Sequence, residues 1–205
     1  MLRRLAEELA RNRRMMARQE SDLVRILLTL DDSSHLELTK GIHYDETIED
    51  ALGELFRNAT DRLRVAMPYI SKGGRRDFDE KIGSTLDGTA TTLLLFRYPD
   101  KPEQVRIHEE INGHFAEEIG IGKIQIRYFG EAGSSGLHAK VVIMDDKKAM
   151  VSSANWTSYS LSSNAEAGVL TSSHRAIMML QRWFDHIYDR SYGWSAIRSR
   201  SERDS

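Results

Sequence analysis

Apolar residues recur along this chain with two periods, and the periods alternate. In TIEDALGELFRNAT, residues 47–60, Ile48, Ala51, Leu52, Leu55 and Phe56 fall at helical spacing and make one apolar face. RLRVAMPYI, residues 62–70, then reads as a strand, and residues 77–87 as a short helix. TTLLLFRY, residues 91–98, is an apolar strand stopped by Pro99. Residues 102–119 read as a helix with Pro102 near its first turn. KIQIRYF, residues 123–129, alternates as a strand. LHAKVVIMD, residues 137–145, is short, apolar and β-branched, which predicts a buried strand. AMVSSAN, residues 149–155, is a second strand or its end, and residues 165–170 a third. Residues 173–189 form an amphipathic helix with Ile177, Leu180, Trp183, Phe184 and Ile187 inward. Strands alternating with helices predict an α/β fold, a mixed β-sheet flanked by helices.

Upstream, residues 2–30 read as helical, with one stripe of Leu2, Leu5 and Leu9 and another of Leu23, Ile26, Leu27 and Leu30. Ser21 is the expected N-cap of the second helix. The expected organisation is an N-terminal helical extension at 1–40, a main α/β domain at 41–190 and a disordered tail at 191–205, where apolar residues run out. The helical extension is a candidate surface for a protein partner.

Composition narrows the choices. There are no cysteines among the 205 residues, which excludes disulfides and thiolate metal sites. No apolar run approaches the length of a membrane span. The charged N-terminus lacks the apolar core of a signal peptide, and Glu7 and Glu8 argue against a transit peptide, so a cytoplasmic protein is expected. The net charge of −2 hides an asymmetry: residues 1–30 carry seven Arg against four acids, and residues 190–205 four Arg against two. A polyanion binder built from this chain gathers its positive charge locally. His108 and His114 adjoin Glu109 and Glu110, but six residues apart they do not share a helix face, so no metal site is expected.

The chemistry concentrates between Gly136 and Glu166. His138 and Lys140 are two apart on an apolar strand and face the same way, whereas Asp145, an odd number of residues from both, faces the other way on a regular strand. Burying a lysine without a partner is costly, so a nearby anion is the natural explanation. Alternation also puts Ser153 and Asn155 on one face. Trp156 and Tyr159 follow and are expected to pack under the site loop. Lys72, Arg75 and Arg76, in SKGGRRDF beyond the end of a strand, are a candidate phosphate-gripping loop or a solvated turn.

The pattern H-x-K-x-x-x-x-D, six residues, then Ser152-Ser153-Ala154-Asn155, resembles the signature of the phospholipase D superfamily, with Ser152 where the family usually has Gly. Glu166, 28 residues after His138, lies where the family's compact nucleases keep an acidic partner for the histidine. The resemblance implies a phospholipase D-like domain with its site at strand ends, and phosphodiester cleavage through a phosphohistidine without metal or other cofactor. It implies His138 as nucleophile, Lys140 and Asn155 as phosphate ligands, Glu166 as orienter of the ring, Ser153 as a secondary hydrogen-bonder and Asp145 as a structural member of the signature. A short chain with one signature looks like the nuclease branch, with nucleic acid, DNA before RNA, as its partner. In-line attack needs a general acid opposite the nucleophile, and a single signature supplies one only if two chains pair, so a homodimer with a composite site is expected. The alternatives are a phospholipid phosphodiesterase at a membrane surface and a non-catalytic nucleic-acid-binding subunit of a defence or restriction complex.

Overall fold

A computed structural model of the chain describes residues 24–29, 46–86, 88–131, 133 and 136–201. Seven strands form one sheet: β1 (Val24–Thr29), β2 (Arg62–Met67), β3 (Thr91–Arg97), β4 (Ile124–Phe129), β5 (Lys140–Met144), β6 (Lys148–Ser152) and β7 (Glu166–Thr171), in the spatial order β1-β7-β6-β5-β2-β3-β4. The pairs β2–β3 and β3–β4 are parallel and all others antiparallel. The helices are α1 (Ile48–Arg57), α2 (Arg75–Leu86), α3 (Pro102–His114), α4 (Ala116–Gly120), α5 (Ser158–Ser162), α6 (His174–Tyr188) and α7 (Trp194–Ser201). The α/β fold with a mixed, helix-flanked sheet is as the sequence pattern predicts.

The sheet's alternation sorts its core into two layers. Leu63, Val65, Met67, Leu94, Phe96, Val142 and Met144 pack on one face, with Ile48, Leu52, Leu55 and Phe56 of α1 and Phe78 and Ile82 of α2. Ala66, Leu93, Leu95, Val141 and Ile143 pack on the other, with Ile177 and Phe184 of α6. The central strands are buried on both faces, which is why they read as continuous apolar runs. The apolar faces expected for α1 and α6 are those that pack inward. A capping box starts α1: the Asp50 N–H donates to Thr47 Oγ1 at 3.0 Å, and the Thr47 N–H donates to the Asp50 carboxylate.

Three segments differ from their expectation. Val24–Thr29, expected on a helix, is the edge strand β1, paired antiparallel to β7. In LVRILLTL a short apolar run carries both periods, and pairing with β7 selects the extended one: Leu27 is buried while Val24 and Ile26 are exposed. The other residues of the expected extension, 1–23 and 30–40, lie outside the described residues, as do His35 and His43, two histidines without a partner motif in the sequence. The expected helix 102–119 breaks at Phe115, whose backbone leaves helical geometry between α3 and α4. The tail expected to be disordered carries α7 as far as Ser201, anchored by Ile197 in the core and by Trp194 with its ring 5.3 Å from that of Tyr128. Among the described residues, no helix is long and apolar enough to cross a membrane.

Candidate active site

The start of β5, the end of β6 and the start of β7 meet at one end of the sheet, because the three strands run antiparallel. Lys140 pairs with Ser152, and Ser152 with Gly168. β5 is shorter than the sequence suggested. His138 precedes it by two residues and is exposed, with Leu137 buried behind it as an anchor. Ser153 follows β6 directly, Asn155 lies two residues further, and Glu166 opens β7. Since β2 is antiparallel to β5 and parallel to β3, the ends of β2 and β3 arrive at the same edge.

Lys140 is 7% exposed. Burial pushes its ammonium below the ordinary lysine range, and the negative charge of Glu166 opposes that shift. Glu166 is engaged in turn by Ser153. The Ser153 hydroxyl donates to the Glu166 carboxylate and accepts the Ala167 N–H at 3.1 Å, and the Ser153 N–H donates to the Ala167 carbonyl at 2.9 Å. Glu166, implied as orienter of His138, is thus held by Ser153 and set electrostatically against Lys140. Asn155 Oδ1 and Ser152 Oγ are buried without a hydrogen-bond partner. Buried polar atoms are nearly always paired, so both atoms are open to a hydrogen bond from water or a polar ligand at this end of the sheet.

The departure from the family pattern at Ser152 has a local compensation. Its cross-strand neighbour is Gly168, and a Cβ built there would lie 3.0 Å from Ser152 Cβ and 3.1 Å from the Val151 carbonyl. The side chain gained at 152 faces a side chain absent at 168.

Asp145 stands apart. It closes β5 at the far end, five residues beyond Lys140, or ~16 Å at ~3.3 Å per strand residue. Its carboxylate accepts the N–H groups of Asp61 (2.9 Å) and Arg62 (3.0 Å), the Thr60 N–H (3.3 Å) and hydroxyl (2.9 Å), and the Lys147 ammonium (3.1 Å). Burial alone raises its pKa, but these donors outweigh burial and hold it at about 2. The backbone φ of 51° lies in the left-handed region, which Asp tolerates better than most residues. Asp145 therefore staples the entry to β2. It belongs to the signature but not to the cluster at the strand ends.

The cationic residues after β2 are also redistributed. Arg75 and Arg76 lie in the first turn of α2. Arg75 pairs with Asp79 and Glu110, each at 2.8 Å, and Arg76 with Glu80 at 2.9 Å. The segment read as a phosphate-gripping loop or a solvated turn is a turn packed on the segment after Asn155. Ile70 bridges to Trp156, the Trp156 N–H donates to the Tyr69 carbonyl, and the Ser71 N–H donates to the Trp156 carbonyl, both at 3.1 Å. A Cβ on Gly74 would lie 2.3 Å from that carbonyl, so only glycine fits. Lys72 is exposed on this turn. Trp156 is fully buried against Phe56 and Phe78, and its Nε1 donates to Asp77 at 2.8 Å. Tyr159, expected to pack with it, is 74% exposed instead.

Beside His138 and Asn155 opens a cavity of ≈ 310 Å³, walled by Tyr69 beyond β2, Arg97 and Tyr98 at the end of β3, and Lys101 and Gln104 at the start of α3. These five residues were not singled out from sequence. The signal available was the pair of dipeptides Pro68-Tyr69 and Tyr98-Pro99, each directly after a strand. His108 is not part of the site: it is buried between Phe96 and Tyr128, and burial, then the charge of Arg75, pushes its pKa down to about 3. Among the described residues, no group of three or more His, Asp or Glu side chains is placed to hold a metal ion.

Residues 52–188 match the family described as cardiolipin synthase, PLD-like domain. Over 162 residues the chain is 40% identical to the DISARM protein DrmC of Bacillus paralicheniformis, covering 78% of this chain and 62% of that protein's length. The fold is shared with NucT from Helicobacter pylori (TM-score 0.60, 15% identity, covering 83% of this chain and 99% of that one). It is shared equally with Nuc, a phospholipase D family member from Salmonella typhimurium (TM-score 0.60, 10% identity, covering 83% and 98%).

Proposed function

The chain belongs to the phospholipase D superfamily, and on that premise we propose that it is a metal-independent nuclease acting through a phosphohistidine. The observation that carries this reading is the convergence of His138, the desolvated Lys140 and Asn155, whose buried Oδ1 has no hydrogen-bond partner, at one sheet end beside an open cavity. A ring nitrogen of His138 attacks phosphorus, a P–N bond forms, and the P–O bond to the leaving strand breaks. Water then attacks phosphorus and releases the histidine. Lys140 and Asn155 hold the non-bridging oxygens, whose charge grows in the transition state. Glu166, held by the Ser153 hydroxyl, opposes the charge of Lys140 and is the proposed orienter of the His138 ring.

The departing oxygen needs a proton from the side opposite the nucleophile. A two-fold homodimer supplies it from His138 of the second copy, with both sets of Lys140 and Asn155 around one phosphate. An exposed apolar row supports such pairing. Ile26, Val169 and Val151 stand opposite one another across β1, β7 and β6, at 58%, 37% and 41% exposure, two residues along β6 from Ser153. The substrate in this reading is nucleic acid, DNA before RNA.

The test is incubation with labelled single- and double-stranded DNA, RNA and phosphatidylcholine vesicles, with and without EDTA. Cleavage of nucleic acid that survives EDTA and is lost in His138→Ala is expected. Cleavage of lipid alone, or activity lost in EDTA and restored by Mg²⁺, overturns the reading. Subunit mixing tests the composite site: equal amounts of wild-type and His138→Ala chains, refolded together, should retain about one quarter of the activity by random pairing. Retention of about half means that each subunit holds a complete site.

A further inference from the structure

His138 and Asn155 line one side of the cavity, and its other walls have no task in the phosphate chemistry. Its ≈ 310 Å³ falls at the low end of ligand pockets, ~300–1,000 Å³. Two tyrosines face it, Tyr69 partly exposed and Tyr98 half-buried. Arg97 and Lys101 add cationic groups, and Gln104, 5% exposed, adds a buried amide whose Nε2 donates to the Ile70 carbonyl at 3.1 Å.

The walls are rigid by construction. The chain has three prolines. Pro68 and Pro99 line the cavity, and Pro102 opens the helix that carries Gln104. Each fixes its own backbone φ. The Tyr69 carbonyl is tied to Trp156, and the Tyr98 N–H donates to the Phe129 carbonyl at 2.9 Å. The Arg97 side chain lies against Gly136: a Cβ there would sit 3.2 Å from Arg97 Cγ. That close approach joins the cavity wall to the loop that carries His138. A preformed, aromatic-walled recess with cations at its rim and one buried amide suits a flat, polar-edged ring attached to a phosphate.

We propose that this cavity is a subsite for one unstacked nucleobase next to the scissile phosphate, with Tyr69 and Tyr98 as stacking surfaces, Arg97 and Lys101 against the neighbouring backbone and Gln104 reading the base edge. The proposal rests on the nuclease reading above. A base within a duplex cannot enter a recess of this kind without leaving its stack, so the subsite favours single strands, loops and frayed ends.

The experiment uses the full-length protein and a labelled single-stranded DNA in which one abasic residue is walked along the sequence, with kcat/KM measured at each linkage. Cleavage at the linkage beside the abasic residue should fall about tenfold or more, the loss expected when one stacked base is removed, through KM more than kcat. Distant linkages should be unaffected. Tyr69→Ala should erase the difference between abasic and intact linkages, and Tyr98→Ala serves as the second variant. Independently, 2-aminopurine placed beside the bound phosphate should lose emission when His138→Ala protein binds, and Tyr69→Ala in that background should restore it. Equal cleavage beside abasic and intact residues, or unchanged 2-aminopurine emission, overturns the subsite while leaving the nuclease reading intact. No cleavage of any oligonucleotide overturns both.

Discussion

Asp145→Asn separates a structural from a chemical role within the signature. The wild-type carboxylate accepts the N–H groups of Asp61 and Arg62 at 2.9 and 3.0 Å, together with Thr60 and Lys147. Asparagine keeps the shape and tolerates the φ of 51°, but it loses the charge and turns an NH₂ donor toward donors. Asp145 is 6% exposed, and its pKa of about 2 is set against an ordinary value near 3.8. That difference is worth roughly 2 kcal/mol. In a chain of 205 residues it lowers Tm by roughly 4–8 °C. Asp145→Ala, which also strands the two N–H groups, should cost more, about 3–4 kcal/mol. The sign with pH follows from the depressed pKa. The stabilisation is fully present above the unfolded-state value and is lost as pH falls through about 2, so wild type and Asp145→Asn should converge in acid. Urea titrations at several pH values measure this, alongside turnover per folded molecule. Unchanged stability with abolished turnover in Asp145→Asn would refute the structural assignment.

Further perturbations probe the contacts around the site. Gly74→Ala drives a methyl into the Trp156 carbonyl at 2.3 Å and should destabilise by about 1–3 kcal/mol, read from chemical denaturation; wild-type stability would reject the close packing of the two loops. Gly168→Ala should cost about 1 kcal/mol through its contact with Ser152. Adding Ser152→Gly should recover part of that loss, and a double-mutant cycle without coupling would show that the two positions do not compensate. Trp156→Phe removes the donor to Asp77 from a fully buried ring and should cost about 1–3 kcal/mol, measured by thermal unfolding; an unchanged Tm would count against that bond.

The faces of α1 and α6 were legible because burial and helical period coincide in single segments. The signature was legible because chemistry set residue types that a buried strand does not otherwise need. The separate position of Asp145 was expected from strand parity. In the structure it comes from distance along β5 and from a left-handed turn, a different cause for the same separation. β1 was misread because LVRILLTL carries both periods and only pairing with β7 decides between them. α7 was missed because its stability lies in Ile197 and Trp194 reaching the core, not in its own composition. The cavity walls were hidden for a third reason: Tyr69 and Tyr98 are brought together only by the parallel register of β2 and β3. Turn chemistry at Pro68 and Pro99 hinted at rigidity but not at what it encloses.

The central claim is covalent catalysis by His138. Its most direct test is a rapid alkaline quench of wild-type protein with a labelled single-stranded DNA in EDTA, followed by mass analysis of the peptide that carries His138. The account predicts a nucleotide adduct on His138 that forms and decays at rates matching turnover, and that is absent from His138→Ala protein, which is inactive. Turnover that proceeds without an adduct on His138, or that persists in His138→Ala, would contradict it.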